Sequence, residues 1–436
     1  MRARSTLSAV VAGAAVLLGA GVAPASAMAG RATLYVGAPG SGRGGCARPG
    51  YTNVQAAVDA APVGATVYLC GTTPFAGQVF IDKTVSLTGA PGASIAAPGA
   101  SGFAAASSAR LPAIFQSDLL AAPQAIVVVT GGSPVITGLT IAGPLPGNGG
   151  CAVDEFGVLV LGGATTTLDQ DAVVNIHDAS ATLYGCQFGV GIQVGRDYWP
   201  TADFTTFETV SFAGHAKIND TTVSGYQKNG VTVDGPGSTA AVDHDVVLGS
   251  GRDSLFAPII AQNGIQISRG ARADINGSTV RGNSYTGPGD AFATGILIYG
   301  GCGDPLVTGV LLAGNTLVNN DVGISLSNYN PACTSNAPTP TRDVASGNLI
   351  SNDEVSNISG YCTPSFSCPG DGYQAGIDDI GDLDIIAGNL ISGPGYAPAG
   401  SIADPAPAFV RPVDTISYPT SDPIVIGNLY DHIPYP

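Results

Sequence analysis

The segment Gly157-Val-Leu-Val returns as Gly191-Ile-Gln-Val, Gly230-Val-Thr-Val, Gly264-Ile-Gln-Ile, Gly295-Ile-Leu-Ile and Gly323-Ile-Ser-Leu. The intervals are 34, 39, 34, 31 and 28 residues. Such a unit is too short to bury its own apolar face and must bury it against the next copy, which is the condition for a solenoid.

A second series runs out of phase with the first: Gly314-Asn-Thr-Leu, Gly347-Asn-Leu-Ile, Gly388-Asn-Leu-Ile and Gly427-Asn-Leu-Tyr. Two short strands per turn are therefore expected. Both series alternate apolar and variable positions with period two, which assigns strands with one row of side chains inward and one outward and excludes an all-helical solenoid. Gly and Asn tolerate the left-handed backbone of sharp corners, and Asn can hydrogen-bond locally in a turn. Strand, corner, strand and return make a parallel β-helix, with each strand paired to its equivalent one coil away.

With these repeats the chain resembles the right-handed parallel β-helix proteins of the pectate-lyase-like superfamily over nearly all of its length. Tyr51-Thr-Asn-Val-Gln-Ala-Ala-Val-Asp-Ala-Ala-Pro62 is similar to the short helix that plugs the first coil in that superfamily. Thr52 and Gln55 fit a capping box, Val54, Ala57, Val58 and Ala61 form one apolar stripe, and Pro62 ends it. The fold class is all-β, a single-stranded right-handed β-helix with a short N-terminal capping helix. The expected cap spans about 31–65, the coils about 66–393, and a C-terminal loop and last coil 394–436.

Arg2 and Arg4 precede an apolar run from Ala9 to Ala23, and Ala25-Ser-Ala27 is a small-residue cleavage site. Residues 1–27 read as a secretory signal peptide, leaving 28–436 as one domain. No later apolar run is long enough for a membrane span. The protein is expected to be secreted and monomeric. Eight cysteines, an even number in an exported chain, suggest disulfides rather than metal ligation. Sequence alone leaves their connectivity open. Proximity in the coil model favours Cys46 with Cys70, Cys151 with Cys186, Cys302 with Cys333, and Cys362 with Cys368.

The net charge of −16 disfavours nucleic acid as a partner. Basic residues nevertheless gather in one region: Arg196, Lys217, Lys228, Arg252, Arg269, Arg272 and Arg281. An acidic ligand is least repelled there. Aligning the glycines puts Gln193, Thr232 and Gln266 in one outward row, with Lys228 beside Gln262 and Asp234 beside Ser268, neighbouring coils being about 4.8 Å apart. Arg196 and Arg269 flank the Asp234 coil. An arginine-carboxylate-arginine cluster suits a sugar acid. As a structural ion pair at a solvated strand end it would contribute at most about 1 kcal/mol. The loop after Arg196 brings Trp199, the only Trp of the chain. The insertion from Ser250 to Ile260 is expected to form the other wall of a groove, with Tyr226 and Tyr285 at the rim.

In lyases of the resembled superfamily an arginine commonly acts as base while carboxylates bind calcium that polarises the uronate. The resemblance implies those roles for Arg269 and Asp234, with Arg196 beside them, by position and not by motif. Calcium is the cofactor it would bring; no metal ligands are fixed by the sequence. Val242-Asp-His-Asp245 resembles the I-D-H element of pectate lyases, but the accompanying R-x-P-x-x-R is missing, and the two acids also fit hydrogen-bonded turn residues. Asp378-Asp379 lacks the partner elements of polygalacturonases, and adjacent strand residues point to opposite faces, whereas inverting hydrolysis needs carboxylates about 6.5 to 9.5 Å apart. The signatures of pectin esterases and the D-P-H element of alginate epimerases are absent. Asp378, Asp379, Asp382 and Asp384 read as a solvated acidic edge. The functional expectation is a secreted protein that binds an extracellular polysaccharide, with lyase-type cleavage of an acidic polysaccharide as the enzymatic option. The alternative is a non-catalytic surface-binding or structural β-helix.

Overall fold

The computed structural model describes residues 32–40, 44–103, 110–111, 123–147, 150–198, 210–288, 291–332, 337–354, 356–357, 374–396, 410–412 and 423–431. Residues 1–27, expected to be a signal peptide, and Trp199, Cys333, Cys362 and Cys368 lie outside the described residues. The described residues belong to one compact unit.

Each central coil carries three strands rather than two. In one, Asn229–Asp234 is followed by Thr239–Asp243 and Val246–Leu248 before the chain returns at Asn263–Ser268. Equivalent strands pair in parallel and build, among the described residues, sheets of ten, twelve and eleven strands. They form a right-handed parallel β-helix, the hand expected when right-twisted strands are joined by crossovers. The overlooked strand belongs to the twelve-stranded sheet. It lies just before the second glycine series, as in Leu311–Ala313, and has no glycine of its own to mark it.

The interior is one aliphatic stack, with Val231 over Ile265 over Ile296 in the ten-stranded sheet. The first glycine series faces into this stack. A Cβ on Gly264 would lie 2.6 Å from the Gly295 carbonyl oxygen, and one on Gly295 would lie 2.6 Å from that of Gly323. These glycines are required by close approach, not by a left-handed backbone. The second series is different: Gly314, Gly347, Gly388 and Gly427 have φ between +62 and +65° with open space around them, the left-handed corner that glycine adopts without steric cost.

The residue after each of those corners forms a ladder. Backbone N–H groups of Ser278, Asn315, Asn348 and Asn389 donate to Oδ1 of Asn315, Asn348, Asn389 and Asn428, at 2.9, 2.9, 2.9 and 2.8 Å. The same line continues toward the N-terminus with other side chains: Leu139 donates to Asp171, Asp171 to Thr221, Thr221 to Asp245, and Asp245 to Ser278. Corner N–H groups that no sheet can reach are thus satisfied one coil at a time.

The N-terminal end is closed by the helix Val54–Ala60, whose cap is Asn53 accepting from Ala56 N–H, and not Thr52. Gln55 serves a different purpose from the expected capping box. Its amide exchanges two hydrogen bonds with the backbone of Phe80, pinning the helix to the first strand of the ten-stranded sheet. The bridges Cys46–Cys70 and Cys151–Cys186 form as expected. Cys302 is also disulfide-bonded, with its expected partner among the residues not described.

Candidate functional site

The register expected on the outer face of the ten-stranded sheet is present: Gln193 pairs with Thr232, Thr232 with Gln266, and Asp234 with Ser268. That face is covered rather than open. Phe80, Leu111, Val128, Phe156, Leu159, Leu161 and Val190 form a second apolar cluster on its early coils, with Phe212 packed against it. Farther along, Gln193 and Thr232 are buried and Gln266 is half-buried. Their polar atoms turn to one another and to the sheet. Gln193 donates to Gly195 O at 2.6 Å, and Asn229 donates to Thr232 at 2.9 Å and to Gln266 at 3.1 Å.

At the C-terminal end of these strands Asp234 is fully buried. It accepts from Ser268 Oγ at 2.6 Å, from Asp197 N–H at 2.9 Å, and from Arg269 Nε and Nη2 at 2.9 and 2.7 Å. Burial pushes its carboxyl up, but the Arg269 charge, the Arg269 hydrogen bonds and the Arg196 charge outweigh it, and the carboxyl sits below its ordinary value. Arg196 itself pairs with Asp154 at 3.1 Å. Asp304 and Tyr299 complete this corner: burial raises Asp304, while burial and the Asp304 charge raise Tyr299. The structure therefore brings Arg196, Asp234 and Arg269 together, with Arg269 clamped in a bidentate fork, the strongest geometry such a pair adopts.

Tyr226, Lys228, Gln262 and Tyr285 lie at the opposite end of the strands. Tyr226 is not a rim residue. It is fully buried, with its hydroxyl donating to Asn283 Oδ1 at 2.5 Å. Tyr285 is buried as well. Lys228 is half-buried, and its ammonium donates to Ala261 O at 2.7 Å; burial lowers it to about 8. Gln262 is buried and ties Ser250 to the backbone of Tyr226. The Ser250 to Ile260 insertion joins the eleven-stranded to the ten-stranded sheet, whereas the Arg196 segment joins the ten-stranded to the twelve-stranded sheet. The two segments leave opposite ends of the strands of the ten-stranded sheet.

The insertion instead walls a cleft of about 470 Å³ with residues from the next three coils. Ser250, Gly251, Arg252, Asp253 and Ser254 face Gly282, Ser284, Asn319, Asn352, Glu354 and Ser356 across it. Arg252 is paired with Glu354 and lies 3.6 Å from Asp253. Behind the wall Asp321 is fully buried. It accepts from Ser284 and Ser356 hydroxyls at 3.1 and 3.2 Å, from Tyr285 and Ala293 N–H at 2.8 and 3.0 Å, and from Asn357 at 3.1 Å. Burial lifts its carboxyl to about 7.

The far side of the same insertion carries an aromatic cluster. Phe256 stacks at 4.3 Å on Tyr184, and His177 meets both rings edge-on at 5.6 and 5.8 Å. Leu255 and Ile259 beside them are exposed. The sequence marked the insertion but not its partners. Ser284, Asn319 and Glu354 sit at one corner of successive coils, a signal readable only after the coils are superposed in register.

The acidic candidates are structural in geometry. Asp245 is a rung of the corner ladder, and Asp243 accepts from Asn276 at 3.0 Å. Asp378, Asp379 and Asp384 do not form a solvated edge; all three are buried. Asp384 accepts from Thr341 Oγ1 and Asp343 N–H at 2.6 and 2.7 Å. Burial and the Asp379 and Asp343 charges raise it to about 9. Among the described residues, no group of three or more His, Cys, Asp or Glu side chains is arranged to hold a metal ion.

No family model matches the chain, and no curated protein does. Among solved structures it is similar to the periplasmic alginate epimerase AlgG, at 11% identity and a TM-score of 0.37 over 84% of this chain and 77% of that one. It is also similar to the A-module of the mannuronan C-5 epimerase AlgE4 from Azotobacter vinelandii, at 15% identity and a TM-score of 0.28 over 78% of this chain and 90% of that one. The architecture rests on the chain's own three parallel sheets: it is a right-handed parallel β-helix.

Proposed function

We propose that this protein is an exported polysaccharide-binding β-helix that holds its ligand in the cleft walled by Ser250–Ser254. The observation that carries this reading is the pairing of two surfaces on one insertion. The insertion contributes Ser250–Ser254 to a cleft lined with Ser, Asn and charged groups, and Phe256 to a partly exposed pair with Tyr184. Sugar rings present hydroxyls at their edges and apolar C–H faces, so a saccharide chain uses both kinds of surface at once. The disulfides accord with export, because such bridges persist in oxidising compartments.

Arg252→Ala and Phe256→Ala should each weaken binding to a glycan retained by the wild-type chain in affinity electrophoresis, with the melting temperature nearly unchanged. Wild-type retention in either variant would remove the cleft from the reading. Loss of retention for every glycan offered to the wild-type chain would leave the non-catalytic structural role.

A lyase acting on an acidic polysaccharide is the second reading, favoured by the two arginines at Asp234. Against it stands the commitment of Arg269 Nε and Nη2 to that carboxylate, since a general base must be able to reach the substrate proton. Incubation with acidic polysaccharides, with and without calcium, should give no rise in unsaturated-uronate absorbance. A rise abolished by Arg269→Lys would install the lyase reading instead.

A further inference from the structure

We infer that Glu155 and Asp178 bind a divalent cation, with calcium the ion whose chemistry fits, at a site outside the lining of the saccharide cleft. The two carboxyls stand where the chain passes from the eleven-stranded to the ten-stranded sheet. Both residues are buried, at 2% and 0% exposure. Glu155 Oε1 accepts from Gly147 N–H at 3.2 Å, and Asp178 Oδ1 accepts from Ser180 N–H at 3.2 Å. Their second oxygens, Glu155 Oε2 and Asp178 Oδ2, are buried without a hydrogen-bond partner. The two carboxyls converge on Gly147, where a Cβ would collide with the Asp178 carboxylate.

A buried carboxylate oxygen with no donor is costly, and each such oxygen calls for a partner. Among the described residues, no lysine or arginine is paired with either acid. His177, whose charge acts on Asp178, donates from Nδ1 to the Asp178 carbonyl at 2.7 Å. Burial and the Asp178 charge push Glu155 up to about 8, the behaviour of two acids that share a site without a cation. A calcium ion supplies the missing partner to both oxygens. It takes about six to eight oxygen ligands in flexible geometry, so backbone carbonyls and water can complete a site founded on two carboxylates. The ion would also brace the segment that carries Tyr184. Asp178 N–H donates to Gln227 Oε1 at 3.1 Å, and Gln227 Nε2 donates to Leu183 O and Cys186 O at 2.9 and 3.0 Å.

The test is calorimetric titration of calcium chloride into the full chain after treatment with chelator. One ion should bind per chain, and millimolar calcium should raise the melting temperature by several degrees, because a ligand of the native state stabilises it by mass action. Amide exchange should slow at residues 177–186. Glu155→Gln and Asp178→Asn keep the acceptors that Gly147 and Ser180 use. Each should lower the affinity about tenfold or more, since affinity follows the number of charged ligands. In chelator each should melt no lower than wild type, because one of two like charges is gone. No heat and no change in melting temperature on adding calcium to the wild-type chain overturns the site and leaves a proton shared by the two carboxyls. Unchanged affinity in both variants places the ion elsewhere and overturns it as well. Should a variant fail to fold, the exchange map of the wild-type chain decides: slowing at 177–186 supports the site, and slowing confined to other coils overturns it.

Discussion

Arg269 grips Asp234 through two parallel hydrogen bonds, Nε to Oδ1 and Nη2 to Oδ2, at a carboxylate with no exposure to solvent. Removing one partner of a buried pair leaves the other charge uncompensated. Asp234→Ala is therefore expected to lower stability by about 3 to 5 kcal/mol, measured by chemical denaturation. A loss below about 1 kcal/mol, the value for a solvated pair, would show that the site is wet. Because the folded carboxyl lies below its ordinary value, its contribution is complete above the unfolded pKa and disappears as pH falls through the lower folded value. Wild type and variant should converge only in acid.

Asp245 occupies a ladder position that Asn315, Asn348, Asn389 and Asn428 fill in later coils. Its Oδ1 accepts from Thr221 N–H, but its buried Oδ2 has no partner, and burial lifts the carboxyl from 3.8 to about 7. An acid raised by folding is stabilising while protonated, so the native state loses stability as pH rises from the unfolded value through about 7. Asn keeps the acceptor and adds a donor. Asp245→Asn should raise stability by roughly 1 to 3 kcal/mol at pH 8 and by little at pH 4. A variant less stable than wild type at pH 8 would refute the ladder account.

The two glycine series should respond differently to alanine. At Gly264 the added methyl meets the Gly295 carbonyl oxygen at 2.6 Å as well as a Val280 methyl, so Gly264→Ala should lose about 3 kcal/mol or more, or fail to fold. At Gly314 the surroundings are open and only the left-handed backbone opposes substitution, a loss of about 1 to 2 kcal/mol. Equal losses at the two positions, read from denaturation midpoints, would contradict the division between close approach and corner conformation.

The Cys46–Cys70 bridge closes 24 residues around the capping helix. Replacing both cysteines with serine should lower stability by about 3 kcal/mol. Hydrogen exchange should rise first at Thr33–Val36 and Thr66–Leu69, the outermost strands, because coils far from the cap keep both neighbours. Exchange that rises uniformly along the solenoid would exclude a local clamp.

The sequence by itself determined the coil. Period-two alternation fixed which residues line the core, and the glycine marks fixed the register that puts Thr232 between Gln193 and Gln266; cysteine proximity in the coil favoured, among four pairings, the two bridges that the structure shows. It hid the third strand of each coil, whose short segments carry no glycine mark. Only the tertiary structure decided which outward residues stay wet. Alternation assigns a side chain to a face, but whether that face meets water depends on segments distant in the chain, as Leu111 and Phe212 do over the early coils. The same long-range packing buried Asp234, Tyr226 and Gln262, and placed Arg196 and the Ser250 insertion at opposite strand ends. It also drew Ser284, Asn319 and Glu354 from successive coils to the wall of one cleft. Local pattern carries the free energy of a repeating core. A site that spans several coils exists only once those coils are stacked.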